Sequence, residues 1–149
     1  MYIDVDNQKT YIATGSREHV EGNLGMTFIH GTAMDHTVWT LAGRHFARKG
    51  LNIQAVDLPG HGNSEGPAIK SIEGISEWIK KSMEKLKINE ISFMGHSQGC
   101  LVGLEFASRF PKLIKSLVLV GGSYELPVNP ALIDYADGGD MKSVELMMK

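Results

Sequence analysis

Short apolar runs alternate with segments of helical periodicity along most of the chain. Four runs, GMTFIHG, NIQAVDL, ISFMGH and SLVLVGG, predict strands. Between them, apolar residues recur at helical spacing in segments 37–50, 71–88 and 98–109, and Ser71 is placed to cap the second helix. This order from Met26 onward predicts a parallel sheet with helices on both faces, an α/β fold.

The two ends of the chain add a predicted hairpin and two predicted helices. YIDV and TYIAT are β-prone runs on either side of the turn-forming DNQK, which predicts a β-hairpin before Met26. PALIDYA and MKSVELMMK predict two short helices after the last strand. We therefore expect about six strands and, from the length of 149 residues, a single domain over 1–149.

Composition and charge exclude several classes of function. The net charge of −2 disfavours a nucleic-acid or anionic-membrane partner. Cys100 is the one cysteine, which excludes an internal disulfide and a cysteine-rich metal site. The N-terminus lacks the pattern of a signal peptide, and no apolar run approaches the ~18 residues that span a bilayer. We expect a cytoplasmic protein without metal or organic cofactor.

The segment Gly95-His96-Ser97-Gln98-Gly99 fits the pattern G-x-S-x-G between a predicted strand and a predicted helix. In that setting the chain turns sharply, and the serine lies at the apex in a strained backbone conformation. The hydroxyl of Ser97 is thereby presented above the carboxyl end of the sheet, where the helix N-terminus favours negative charge. A chance glycine–serine turn is the alternative interpretation of these five residues.

Two further segments point to the same chemistry. FIHGTAMDHTVW places His30-Gly31 at the end of a strand, and VDLPGHGNSEG follows the next strand. Together with GHSQG, in this order and spacing, they resemble the α/β-hydrolase superfamily over roughly residues 26–122. A phosphate-binding loop is disfavoured, because PGHGNSEG has no lysine at the Walker position.

The resemblance implies a role for each matching residue. Ser97 matches the nucleophile, and the backbone N–H groups of Gln98 and Thr32 match the oxyanion hole. His30 and Gly31 match the residues that shape the oxyanion loop and border the bound substrate. The resemblance thus implies a serine hydrolase that cleaves a small-molecule carboxylic ester or related acyl bond through an acyl-enzyme on Ser97.

A catalytic base is missing from the predicted site. A serine hydroxyl needs a base to become a good nucleophile, and in this family the catalytic histidine follows the serine in the chain. All six histidines precede Ser97. His36 is the earlier histidine with the best prospect of reaching the site, and Glu125 and Asp134 lie where some family members carry the acid. None of the three is assigned a role.

We therefore expect an incomplete domain that lacks the last two strands and most of the cap of the family. Residues 1–122 form the expected core part and 123–149 the start of the cap. SLVLVGG would then leave an apolar edge, and Ser116–Val120 is the predicted site of dimerisation or other association. The alternative is a non-catalytic remnant that binds a small apolar ligand or a partner subunit.

Overall fold

The computed structural model describes residues 1–124 and 128–147, in which six strands and five α-helices are found. The strands are β1 (Tyr2–Val5), β2 (Gln8–Ala13), β3 (Gly25–Ile29), β4 (Asn52–Val56), β5 (Ile91–His96) and β6 (Ile114–Val120). The helices are α1 (Thr40–Arg48), preceded by a 3₁₀ turn (His36–Trp39), α2 (Ile72–Lys85), α3 (Gln98–Arg109), α4 (Pro130–Asp137) and α5 (Lys142–Met147).

All six strands form one sheet in the order β1-β2-β4-β3-β5-β6. Four neighbouring strands, β4, β3, β5 and β6, pair in parallel. Strand β2 pairs antiparallel with both β1 and β4. The prediction of a mostly parallel α/β sheet with about six strands is therefore confirmed. The parallel register brings the carboxyl ends of β3, β4 and β5 to the same side of the sheet, and the predicted site residues follow β3 and β5 there.

The predicted hairpin forms with a two-residue turn. Asp6 and Asn7 have φ of 54° and 63°, the left-handed values that such a tight hairpin turn needs at both central positions. Asparagine and aspartate tolerate this conformation better than other non-glycine residues. The turn is shorter than the predicted DNQK segment, because Gln8 and Lys9 already belong to β2.

The two faces of the central sheet are covered by different helices, as predicted. Phe28 faces α1 and the 3₁₀ turn, and it packs with Trp39 and Ala47. Ile29, the next residue, points to the other face and joins the larger core, which α2 and α3 cover. The hydroxyl of Ser71 accepts a hydrogen bond of 3.0 Å from the N–H of Gly74 and caps α2 as predicted.

Strand β6 is an apolar edge of this sheet. Among the described strands it pairs with β5 alone, and Val118, Leu119 and Val120 are 40%, 43% and 40% exposed. Helices α4 and α5 pack on each other, and no residue of α4 is buried. Within residues 1–124 and 128–147, no helix has the length and apolar character required to cross a membrane.

Candidate active site

Ser97 lies at a sharp turn between β5 and α3, in a backbone conformation that serine rarely adopts. Its φ is 52° and its ψ is −116°, and such a conformation costs a non-glycine residue about 1–3 kcal/mol. The N–H of Ser97 donates a 3.0 Å hydrogen bond to the carbonyl of Val120. Although Ser97 is the residue before α3, its side chain makes no capping hydrogen bond. The hydroxyl is therefore left free for another partner.

Two glycines allow this turn to form. A Cβ on Gly95 would overlap the carbonyl group of Gly99, the second residue of α3. A Cβ on Gly99 would overlap the carbonyl oxygen of Ile29 at the end of β3. The glycines of G-x-S-x-G are thus required by the close approach of β5, α3 and β3.

The loop after β3 comes into contact with the turn at Ser97. A Cβ on Gly31 would lie 3.1 Å from the Cβ of Ser97, which is a tight contact and shows how closely the two segments approach. The hydroxyl of Thr32 is 3.4 Å from the side-chain oxygen of Gln98. The structure therefore brings together Ser97 and the two residues whose N–H groups were predicted to form the oxyanion hole.

His30 is fully buried and holds two loops together. Its Nδ1 is 2.8 Å from the carbonyl oxygen of Gly31, and its Nε2 accepts a 3.2 Å hydrogen bond from the N–H of Leu58. Burial lowers the pKa of His30, because a charged ring would lose its hydration. Both ring nitrogens are thus engaged in a neutral imidazole, which leaves none to take a proton from Ser97.

His36, the alternative base, is held by Asp57 instead. The Nδ1 of His36 is 2.8 Å from Oδ1 of Asp57, and its backbone N–H donates to the same oxygen at 2.7 Å. The second carboxylate oxygen accepts from the N–H of Asn63 at 2.8 Å. Asp57 follows β4, and β3 separates β4 from β5. His36 is therefore engaged by a residue two strands away from β5, and within the described residues it makes no hydrogen bond with Ser97.

The remaining histidines do not complete the site either. The Nδ1 of His61 is 3.0 Å from the carbonyl oxygen of Pro59. The ring of His96 packs edge-on against Trp39, with ring centroids 6.4 Å apart. In the part of the chain that the structure describes, which includes all six histidines, none hydrogen-bonds the Ser97 hydroxyl. Of the two acids considered, Asp134 lies in α4 and Glu125 is outside the described residues.

One cluster has the composition of a metal site, although its ligand atoms are already occupied. Atoms of Asp35, His36 and Asp57 lie within 4.8 Å of one another. However, Asp35 accepts from the N–H and hydroxyl of Thr37 at 2.8 and 2.6 Å, and Asp57 is saturated by His36 and Asn63. These hydrogen bonds join the loops after β3 and β4.

Sequence reasoning missed a contact beneath the serine. The thiol of Cys100 is buried and donates to the carbonyl of Gly95 at 3.2 Å. Any side chain on Gly122 would overlap this sulfur. Gly121 and Gly122, which follow β6, were the sequence feature that could have indicated this contact, because the chain passes close to α3 there.

Comparisons with known proteins agree with this geometry. A family model described as the alpha/beta hydrolase fold matches residues 26–148. The enol-lactonase from Burkholderia xenovorans LB400 superposes with a TM-score of 0.84 at 22% identity, covering 97% of this chain and 56% of that chain.

Two curated relatives match part of their length. The Klebsiella pneumoniae 2-succinyl-6-hydroxy-2,4-cyclohexadiene-1-carboxylate synthase is 30% identical over 98 residues, which are 65% of this chain and 38% of that protein. The Arabidopsis thaliana "Probable lysophospholipase BODYGUARD 3" is 30% identical over 124 residues, 79% of this chain and 25% of that protein. This chain thus spans well under half the length of either relative, and the family match over most of its residues shows that it belongs to the alpha/beta hydrolase fold family.

Proposed function

We propose that this chain carries the nucleophile and the oxyanion hole of a serine hydrolase that cleaves small-molecule carboxylic esters or related acyl bonds. The backbone of Ser97 carries the proposal, because a φ of 52° is costly for serine and its hydroxyl is not used as a helix cap. Strain of this kind persists where the surroundings impose it, and it clusters at active sites.

The proposed reaction begins with attack of the Ser97 hydroxyl oxygen on the carbonyl carbon of the ester. A base takes the hydroxyl proton, and the carbonyl oxygen becomes an oxyanion bound by the N–H groups of Gln98 and Thr32. Collapse of this intermediate expels the alcohol, which takes up the proton, and leaves the acyl group on Ser97. Water then attacks the acyl-enzyme, and the acid is released.

We propose that the base comes from polypeptide outside these 149 residues. His30 uses both ring nitrogens in buried hydrogen bonds, and the Nδ1 of His36 is engaged by Asp57. We likewise propose that residues 1–122 are the core part of the catalytic domain and that 123–149 begin a cap. A cytoplasmic location remains part of this proposal.

We also propose that the edge of β6 is where further polypeptide associates. The exposed Val118, Leu119 and Val120 form an apolar edge with unpaired backbone groups, which natural proteins usually cover. A second copy of this chain is one candidate for the isolated protein, and the polypeptide that completes the enzyme is the other. The alternative function, a non-catalytic binding protein, shares this edge but gives no reason for a strained serine.

A fluorophosphonate probe tests the proposal. The isolated chain should label slowly, because removal of a triad histidine lowers turnover about 10⁶-fold. Addition of the C-terminal part of a full-length homologue, in the same chain or as a separate one, should accelerate labelling and p-nitrophenyl acetate hydrolysis by several orders of magnitude. Both gains should vanish in Ser97→Ala. Fast Ser97-dependent hydrolysis by the isolated chain would contradict the proposal and would indicate His36 as the base.

A further inference from the structure

A cavity of about 280 Å³ lies between α1 and the strands β2 and β4. Ala13 of β2 pairs with Ala55 of β4, and these two residues form an apolar floor together with Ile53. Ile53 and Ala55 are each 3% exposed and belong to the core that α1 covers. None of the lining residues takes part in the proposed reaction, so that reaction does not explain the cavity.

The cavity is enclosed because the chain leaves β2 and packs on α1. Strand β2 pairs with β4 through its last two residues alone. Gly15 and Ser16 then have φ of 65° and 67°, and a Cβ on Gly15 would lie 2.7 Å from the carbonyl oxygen of Gly43 in α1. The loop after β2 therefore rests directly on the helix. Because these walls are in place without a ligand, binding would lose little affinity to ordering of the site.

The lining carries one arginine and, among the described residues, no aspartate or glutamate. Arg44 is an exposed residue of α1, so it lies at the mouth, and it takes part in none of the ion pairs found within the described residues. Thr14 and Ser16 add hydroxyl groups from the loop after β2. A guanidinium beside hydroxyl groups favours an anion at this end of the cavity.

Three aromatic side chains complete the lining. The rings of Tyr11 and His36 have centroids 4.8 Å apart, and Trp39 is 7% exposed. The Nδ1 of His36 is 2.8 Å from Oδ1 of Asp57, which holds the imidazole in place and engages this carboxylate. Aromatic rings and an apolar floor favour a flat apolar group in the body of the cavity.

The volume and the single arginine define the class of ligand. One heavy atom occupies roughly the 30 Å³ that a water molecule occupies in the liquid, so a cavity of about 280 Å³ accommodates about nine heavy atoms. A six-membered ring with one carboxylate has that size. A guanidinium binds a carboxylate through two parallel hydrogen bonds and balances its charge. A phosphate ester carries about two negative charges, and Arg44 alone would leave one of them uncompensated.

We propose that this cavity is a binding site for a small monocarboxylate with an apolar ring, whose carboxylate pairs with Arg44 and whose ring covers Ala13, Ile53 and Ala55. The site adds to the proposed function and does not rest on it, because no lining residue belongs to the turn at Ser97 or to the loop residues His30, Gly31 and Thr32.

The experiment titrates the 149-residue chain with benzoate, benzamide and acetate. Benzamide has the size of benzoate without its charge, and acetate has the charge without the ring. In methyl NMR, benzoate should shift the signals of Ala13, Ile53 and Ala55 with a Kd of about 1 mM. Benzamide should bind about fivefold more weakly, the upper value for loss of an exposed ion pair. Acetate should bind at least about tenfold more weakly, because it covers none of the floor.

Variants of α1 test the two ends of the cavity separately. Arg44→Gln should abolish the preference for benzoate over benzamide, and this ratio is insensitive to a loss of stability that weakens both probes alike. Arg48→Gln, at an exposed position of the same helix outside the lining, is the matched control and should keep the preference. Gly43→Ala places a methyl group 3.4 Å from Ile53, an ordinary contact, and alanine favours the helix. It should weaken benzoate and benzamide about fourfold and leave acetate unchanged.

Three results would overturn the inference. Absence of shifts at the floor residues up to about 10 mM benzoate would refute the site. Equal affinities for benzoate and acetate would mean that Arg44 attracts any anion from the surface. Equal affinities for benzoate and benzamide, or an unchanged preference in Arg44→Gln, would refute the pairing with Arg44. Failure of Ser97 to label in the completed enzyme would instead refute the proposed function, and it would leave these titrations unchanged.

Discussion

Replacing Ser97 with glycine should make the protein more stable. Serine at φ 52° and ψ −116° is strained, whereas glycine adopts positive φ without a steric penalty. The Ser97 hydroxyl makes no hydrogen bond among the described residues, so its removal leaves no buried partner unsatisfied. The substitution thus removes strain and takes away little else from the folded state.

The magnitude follows from two opposing terms. Relief of strain contributes about 1–3 kcal/mol, and the greater freedom of glycine in the unfolded chain costs about 0.4–1 kcal/mol. The difference between these two ranges runs from about 0 to about 2.6 kcal/mol in the free energy of unfolding, with about 1.3 kcal/mol at its centre. For a domain of this size, that central gain corresponds to an increase of ~3–5 °C in Tm.

Urea denaturation followed by circular dichroism measures the effect. Ser97→Ala is the first control, because it removes the hydroxyl but keeps the strain, and it should stay within about 0.5 kcal/mol of the parent. Ser108→Gly is the second control, because Ser108 is exposed in α3 and glycine should cost about 0.5 kcal/mol there. If Ser97→Gly is no more stable than Ser97→Ala, the turn is not strained and the main support for a functional serine is lost.

Three further predictions address the surroundings of the site. Asp57→Asn should destabilise the fold by about 2–4 kcal/mol in urea denaturation, because the amide cannot accept all the hydrogen bonds that the carboxylate accepts. Asp134→Asn, at an exposed position of α4, is the control and should be neutral, so equal losses in the two variants would contradict the prediction. Burial lowers the folded-state pKa of His30 below its ordinary 6.5, so the stability that the neutral ring contributes should be fully present above pH 6.5. The free energy of unfolding should then fall as the pH decreases towards the folded-state pKa, by at most ~1.4 kcal/mol per pH unit. His30→Asn should flatten this dependence, and an unchanged slope would refute the assignment. Leu119→Lys should reduce self-association in sedimentation velocity. Leu41→Lys is the control, because Leu41 is 83% exposed on α1, and it should not reduce self-association. A parent chain that is a monodisperse monomer would contradict association at β6.

The sequence was sufficient to predict most of the fold, because its signals are local. Short apolar runs identified β3 to β6, and the periodicity identified α2 with its cap at Ser71. The predicted helix over 37–50 was only partly correct: a 3₁₀ turn occupies its start, and Val38 is 49% exposed although its spacing suggested burial. Asp35 accepts from the N–H of Thr37 and fixes that turn, which shifts the phase of the apolar residues.

Features that depend on contacts between distant residues were not predictable in this way. The pairing of His36 with Asp57 joins loops that follow different strands, and no local pattern indicates it. The same is true of the thiol of Cys100, which lies under the turn at Ser97 and contacts the carbonyl of Gly95. The G-x-S-x-G pattern succeeded because the geometry that it reports involves two adjacent elements and their glycines.

The way the turn at Ser97 is held explains why it can form without a base. Its conformation is imposed by the hydrogen bond to Val120 on β6 and by the contact of Gly99 with the end of β3. None of these contacts involves a histidine or an acid, so the strain in Ser97 does not depend on the rest of a triad. Under the proposed function, the strands of this chain would therefore assemble the proposed nucleophile and the proposed oxyanion loop. Further polypeptide would then need only to place a histidine beside a hydroxyl that is already in position.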